Sequence, residues 1–176
     1  VGEDGASHQT FEDLALMRTI PGMTVINPCD GVSAEELLRQ AISYDGPCYI
    51  RLGRAAVPVF YQQGADIKLG RGNWLRRGDK ATVVATGIMV SEAMEAAERL
   101  AAEGIEIGVI DMHTIKPIDE EILVEAAETG PVVTAEEHSV IGGLGGAVAE
   151  VLSRKHPVKI AMVGQQDTCL LYTSPS

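Results

Sequence analysis

Apolar positions along this chain fall by turns at helical and at strand spacing, with glycine and proline between the blocks, the pattern of successive βαβ units. Residues 10–18 carry Phe11, Leu14 and Met17 at near-helical spacing, and Pro21-Gly22 closes that element. Residues 24–27 predict a short buried strand. Ser33-Ala34-Glu35-Glu36 has the form of a capping box, in which the serine oxygen accepts from a terminal N–H and Glu36 reaches back to the cap. The helix behind it would set Ala34, Leu37, Leu38, Ala41 and Ile42 on one face. Residues 48–52 predict the next strand, which runs out at Gly53-Arg54.

Periodicity fades over residues 55–79, which hold Pro58, Gly64, Gly70, Gly72, Gly78 and the lone Trp74, and this composition predicts a linker wrapping over a surface. The alternation restarts at Lys80. Residues 81–86 form a continuous apolar strand, and Gly87 turns it into a helix with Val90, Met94, Ala97 and Ala101 at helical spacing, ended by Gly104. Residues 106–111 predict a strand, followed by a loop to Pro117. Asp119 should cap a helix opening Glu120-Glu121, with the acids at the positive end of the dipole. A strand over 131–136, a small-residue helix over 142–154 and a strand over 158–163 complete the series. The expected class is α/β: two consecutive three-layer α/β/α domains with mostly parallel sheets, both truncated. Their bounds would be 1–54 and 80–168.

Composition narrows what such a chain can do. Of 176 residues, 25 are acidic and 14 are Lys or Arg, a formal charge of -11, which argues against nucleic acid as partner because that binding needs a basic face. No apolar run approaches the roughly 18 residues of a membrane span. Three scattered cysteines (Cys29, Cys48, Cys169) form no CxxC pair and suit a reducing cytoplasm, where Cys48 reads as a small buried hydrophobe. Val1 lies directly before a glycine-rich turn, as expected of a piece of a longer protein.

Four clusters invite a chemical reading. The opening Gly2-Glu3-Asp4-Gly5-Ala6-Ser7-His8-Gln9 precedes a helix, at the kind of junction where α/β proteins bind ligands. There Asp4 could accept from hydroxyls and His8 could donate or shuttle a proton, or both could belong to a solvated surface turn. Arg51 and Arg54, at i and i+3 on a strand exit, could converge on one phosphate or carboxylate, or could make ordinary salt bridges. Gly142-Gly143-Leu144-Gly145-Gly146 fails the dinucleotide fingerprint, because the sixth position counted from Gly143 is Val148; its small residues would let a helix start close to the sheet or to another subunit. Glu136-Glu137-His138 points side chains in opposing directions on an extended segment, so joint ligation of one metal ion is not expected. His113 and His156 read as ordinary polar positions.

The wording of these segments is distinctive. GEDGASHQTFEDLALMRTIPGMTVINPCD, CYIRLGR, ATVVATG, DMHTIKPID and TAEEHSVIGGLGGAV, in this order, resemble transketolase-like thiamine-diphosphate enzymes, and among them the C-terminal subunit of split bacterial transketolases. The likeness runs from residue 1 to about 168. It implies that 1–54 is the C-terminal part of a pyrimidine-binding domain and 80–168 an incomplete transketolase C-terminal domain. The implied reaction moves a two-carbon ketol unit from a ketose phosphate to an aldose phosphate. By the same resemblance His8 would be catalytic and substrate-binding, Asp4 would bind a substrate hydroxyl, Arg54 would anchor phosphate, and Arg51 matches an arginine of the related deoxyxylulose-phosphate synthases. That synthase, or an oxo-acid dehydrogenase β-type subunit, is the alternative enzyme reading; a non-catalytic α/β interaction domain is the other.

The resemblance also implies what is missing. The glutamate and aromatics that hold the aminopyrimidine ring would lie upstream of Val1, and the domain that binds the diphosphate and Mg²⁺ would come from an N-terminal subunit. The partners implied are that subunit, a second copy of this one, and sugar phosphates, and the piece alone is expected to be inactive. Ser7 replaces the usual threonine but keeps its hydroxyl. Cys169 to Ser176, CLLYTSPS, departs from the family pattern and is expected to be a non-native tail.

Overall fold

The computed structural model describes residues 9–168. The first elements are α1 (Asp13–Thr19), β1 (Thr24–Ile26), α2 (Gly31–Ser43) and β2 (Cys48–Ile50). Asp13 in the first turn of α1 and Arg18 in the last complement its dipole. The start of α2 corrects the sequence reading. Its N-cap is Asp30, whose carboxylate accepts from the Ser33 N–H at 2.7 Å, while the Ser33 hydroxyl serves the Asp30 N–H at 3.1 Å. Ser33 is therefore the last residue of the box, at position N3, and not its first. The inward stripe of α2 also differs: Ser33 and Leu37 are buried, whereas Leu38 and Ile42 face solvent at 49% and 77% exposure.

After the connecting segment come β3 (Asn73–Arg76), β4 (Thr82–Ala85), α3 (Met89–Ala102), β5 (Gly108–Asp111), β6 (Thr114–Lys116), α4 (Glu120–Glu128), β7 (Val132–Ser139), α5 (Leu144–Lys155) and β8 (Ile160–Gln165). Asp119 caps α4 as its sequence predicts, accepting from the N–H groups of Glu121 and Ile122 at 3.2 Å each. Five strands form one sheet in the order β3-β5-β4-β7-β8, parallel except for β3. Alternate residues of its central strands face opposite layers. Ala85 and Val109 pack toward α3, and Val84, Ile110 and Val132 toward α4 and α5.

The second sheet has the order β2-β1-β6, with β2 parallel and β6 antiparallel to β1. Val25 of β1 packs with Leu14 of α1 on one side, and Ile26 with Leu37 of α2 on the other. Two of the sequence expectations change here. The segment predicted as a loop before Pro117 is strand β6, lent by the second half of the chain to the sheet of the first. The end of the predicted linker is strand β3, on the edge of the larger sheet.

The rest of the connection is tied down along its length. The Asp30 carboxylate accepts from the N–H groups of Phe60 and Tyr61 at 2.8 and 3.0 Å, Gln40 bonds Ile67 and Leu69, and Asp119 accepts from the Gly72 N–H at 3.0 Å. Asn27 joins the halves directly: its N–H donates to the His113 carbonyl at 2.8 Å, and its own carbonyl accepts from the Gly87 N–H at 3.2 Å. Gly87 has φ +57°, and a side-chain carbon there would lie 2.7 Å from the Asn27 amide, so both backbone conformation and space require glycine.

Candidate functional site

Beyond the C-terminal end of β2 the chain opens a cavity of about 310 Å³, lined by Gln9, Thr10, Asp13, Tyr49–Arg54 and Glu137. Three pieces of sequence meet there: the start of α1, the exit of β2, and β7 from the second half. Strand alternation puts Tyr49 and Arg51 on the same face. The Tyr49 hydroxyl donates to Asp13 Oδ2 at 2.7 Å, and Arg51 Nε donates to the same oxygen at 3.2 Å. Arg51 also reaches Glu137 Oε2 at 3.3 Å and the Thr10 carbonyl at 3.2 Å. Burial, then the hydrogen bond to Asp13, push the Tyr49 phenol up to about 12, so it stays a donor at neutral pH.

Both sequence-predicted arginines line this one cavity. Arg51 is the more committed, its side chain 13% exposed and its charge met by two carboxylates. The bland reading of Arg51, an ordinary ion pair, thus describes what its guanidinium does in this structure. Asp4 and His8 lie outside the described residues; Gln9 and Thr10, which follow His8, line the cavity. Asp13 and Tyr49 are not singled out by the sequence reading, and Glu137 enters it only within a run set aside as a metal site. Tyr49 could have been found by its period-two relation to Arg51. Glu137 could not, because 86 residues separate it from Arg51.

The alternation along β7 separates Glu137 from its neighbours. Glu136 and His138 are fully buried, Glu136 against the start of α5 and His138 against α1, where its Nε2 accepts from the Ala15 N–H at 3.3 Å. Glu136 accepts from the N–H groups of Leu144 and Gly145 at 2.7 and 2.8 Å, filling the positive end of α5 with a carboxylate. A side-chain carbon at Gly143 would lie 2.0 Å from Glu136 Oε2, so the glycine run exists to let helix and sheet approach. Burial raises the Glu136 carboxyl, and the two backbone donors oppose that rise.

A second buried cluster sits on the seam between the halves. Asp111 Oδ2 accepts from the Tyr61 hydroxyl at 2.9 Å and the Cys29 thiol at 3.3 Å. Burial pushes Asp111 up to about 7, with those two donors pulling it back, and pushes both the thiol and the phenol well above their ordinary ranges. Such a thiol is not a nucleophile. Cys48 is partly exposed, a correction to its reading as a buried hydrophobe.

Two family models match the chain in succession. Residues 1–59 match the transketolase pyrimidine-binding domain and residues 70–175 the transketolase C-terminal domain. A 6-deoxy-6-sulfo-D-fructose transketolase subunit from Clostridium sp. (strain MSTE9) is 47% identical over 165 residues, covering 93% of this chain and 51% of the relative. An apulose-4-phosphate transketolase subunit from Phocaeicola vulgatus is 42% identical, covering 94% and 54%. A solved split-gene transketolase, described as an inactive β4 tetramer, superposes with a TM-score of 0.87 at 52% identity, covering 90% of this chain and 53% of that one. The chain thus spans about half the length of these relatives.

Enzymes of this kind depend on thiamine diphosphate. Among the described residues no His, Cys, Asp and Glu side chains gather in threes to hold a metal ion, and the Arg51 charge in the cavity is already met by Asp13 and Glu137.

Proposed function

The chain belongs to the transketolase family, and from that premise we propose that it is part of a transketolase C-terminal subunit, transferring a two-carbon ketol unit from a ketose phosphate to an aldose phosphate. The carrying observation is that Arg54 shares one cavity with Gln9 and Thr10, the residues directly behind His8. In this reading Arg54 anchors the anionic end of the sugar, Asp4 binds a hydroxyl near the reacting carbon, and His8 binds the neighbouring oxygens and assists proton transfer. Arg51 braces the segment that presents Arg54.

Thiamine diphosphate and Mg²⁺ are held mainly by upstream residues, by an N-terminal subunit carrying the pyrophosphate domain and by a second copy of this subunit. The split subunits among the relatives support such an assembly. The enzyme would work in the cytoplasm; free Cys29 and Cys48 are in keeping with that, and no described helix is long and apolar enough to cross a membrane.

The test is ketol transfer from xylulose 5-phosphate by the full-length chain co-expressed with its N-terminal partner. Arg54→Ala should raise KM for phosphorylated donors by about 10- to 100-fold, the equivalent of one charge-assisted contact. His8→Ala should lower kcat/KM. A folded complex inactive with every ketose phosphate, or an Arg54→Ala KM equal to wild type, would overturn the reading.

A further inference from the structure

The charged side chains among the described residues lining the cavity are Asp13, Arg51, Arg54 and Glu137, so their formal charges cancel. The two carboxylates are not equivalent. The Asp13 side chain is 8% exposed and accepts from both Tyr49 and Arg51, so its loss would leave the half-buried Tyr49 hydroxyl without that acceptor and Arg51 without one of its two carboxylates. The Glu137 side chain is 40% exposed, among the described residues its one ion pair is with Arg51, and that guanidinium keeps Asp13 and the Thr10 carbonyl without it. Glu137 therefore contributes charge to the cavity more than it contributes structure, and it comes from the half of the chain that does not otherwise line it.

We propose that Glu137 is a specificity-determining residue: its negative charge, brought in by β7, sets how strongly the cavity favours a doubly over a singly charged anionic group on the sugar. This rests on the functional reading above, in which Arg54 anchors that group. The physics fixes the form of the effect. A carboxylate repels a ligand anion in proportion to the ligand's charge, so removing it should improve binding of a dianion by the square of the factor for a monoanion. For charges several ångströms apart in a water-like medium the monoanion factor is about twofold.

The experiment uses the complete complex, with inorganic phosphate at pH 8 as the dianionic probe and methanesulfonate as the monoanionic one, each measured as a competitive inhibitor of ketol transfer. In Glu137→Gln, which keeps a hydrogen-bond acceptor for Arg51, the inhibition constant should fall by about twofold for methanesulfonate and about fourfold for phosphate. Both differences should shrink in 1 M salt, where screening acts within about 3 Å. Unchanged constants, equal factors for the two probes, or weaker binding of both would overturn the inference; the last would make Glu137 a strut for Arg51. If Arg54→Ala leaves both probes unaffected, or the wild-type complex transfers no ketol unit, it is the functional reading that fails.

Discussion

The two sheets of this molecule are secured differently. In the five-stranded sheet, β5 is buried at every position and β4 at three of four, with helices covering both faces. In the three-stranded sheet, β2 is only half-buried throughout, and the neighbouring helix α2 turns Leu38 and Ile42 to solvent. The large sheet is held by its own layers. The small one depends on its seam with the other half: strand β6, the Asn27 bridge, and the Asp30 and Asp111 clusters. The cavity follows the same rule, since its floor comes from the small sheet and Glu137 from the large one.

This contrast can be broken most directly in the core. Ile110 is fully buried in β5, and Ile110→Ala should cost about 2–5 kcal/mol. Because the small sheet borrows β6, denaturation followed by Trp74 fluorescence and by far-UV circular dichroism should still give one coincident transition. Two separated transitions would show that the halves stand alone.

The seam can be probed by acid. Asp111 titrates at about 7 in the fold against an ordinary 3.8, so folding takes up a proton between those values and stability rises as pH falls through that window. Burial holds His113 at about 4 against an ordinary 6.5, so folding releases a proton there and stability is lost as pH falls from 6.5 to 4. The two slopes oppose each other, each about 1.4 kcal/mol per pH unit at most. Asp111→Asn should leave the His113 slope exposed and lose stability on acidification relative to wild type, by about 1–3 kcal/mol across the window. His113→Gln should tilt the curve the other way. Urea midpoints measured from pH 4 to 7 check this, and parallel curves for all three proteins would remove the seam as a site of proton linkage.

The smallest effect belongs to the exposed face. Ile42 is 77% exposed, and Ile42→Ser should shift stability by no more than about 0.5 kcal/mol. A larger loss in the assembled complex than in the isolated chain would show that this face is covered there.

Local signals made most of the fold legible: the Asp119 cap, the Gly104 stop and the apolar run of β4 were all readable from neighbouring residues. What was not legible depended on distant partners. Strand β6 is only three residues long and ends directly before Pro117, too short for its alternation to stand out from a loop, and it is fixed as a strand by pairing with β1. Asp30-Gly-Val-Ser and Ser33-Ala-Glu-Glu both have the form of a box, and the backbone of Gly31 and Val32 entering the helix decides between them. For Leu38 and Ile42, periodicity defined a stripe but packing rotated it. At the site, Arg51 and Arg54 could be found from one strand end, whereas the carboxylates that hold Arg51 lie 38 and 86 residues away.

Strand β6 has a consequence for the covalent continuity of the chain. A protease cut between residues 55 and 71 would sever the polypeptide but not the β1–β6 ladder, the Asn27 bridge or the shared core around Leu37 and Val90. The two pieces would stay joined like a nicked rope whose strands are still twisted together, and separately expressed halves could complement one another.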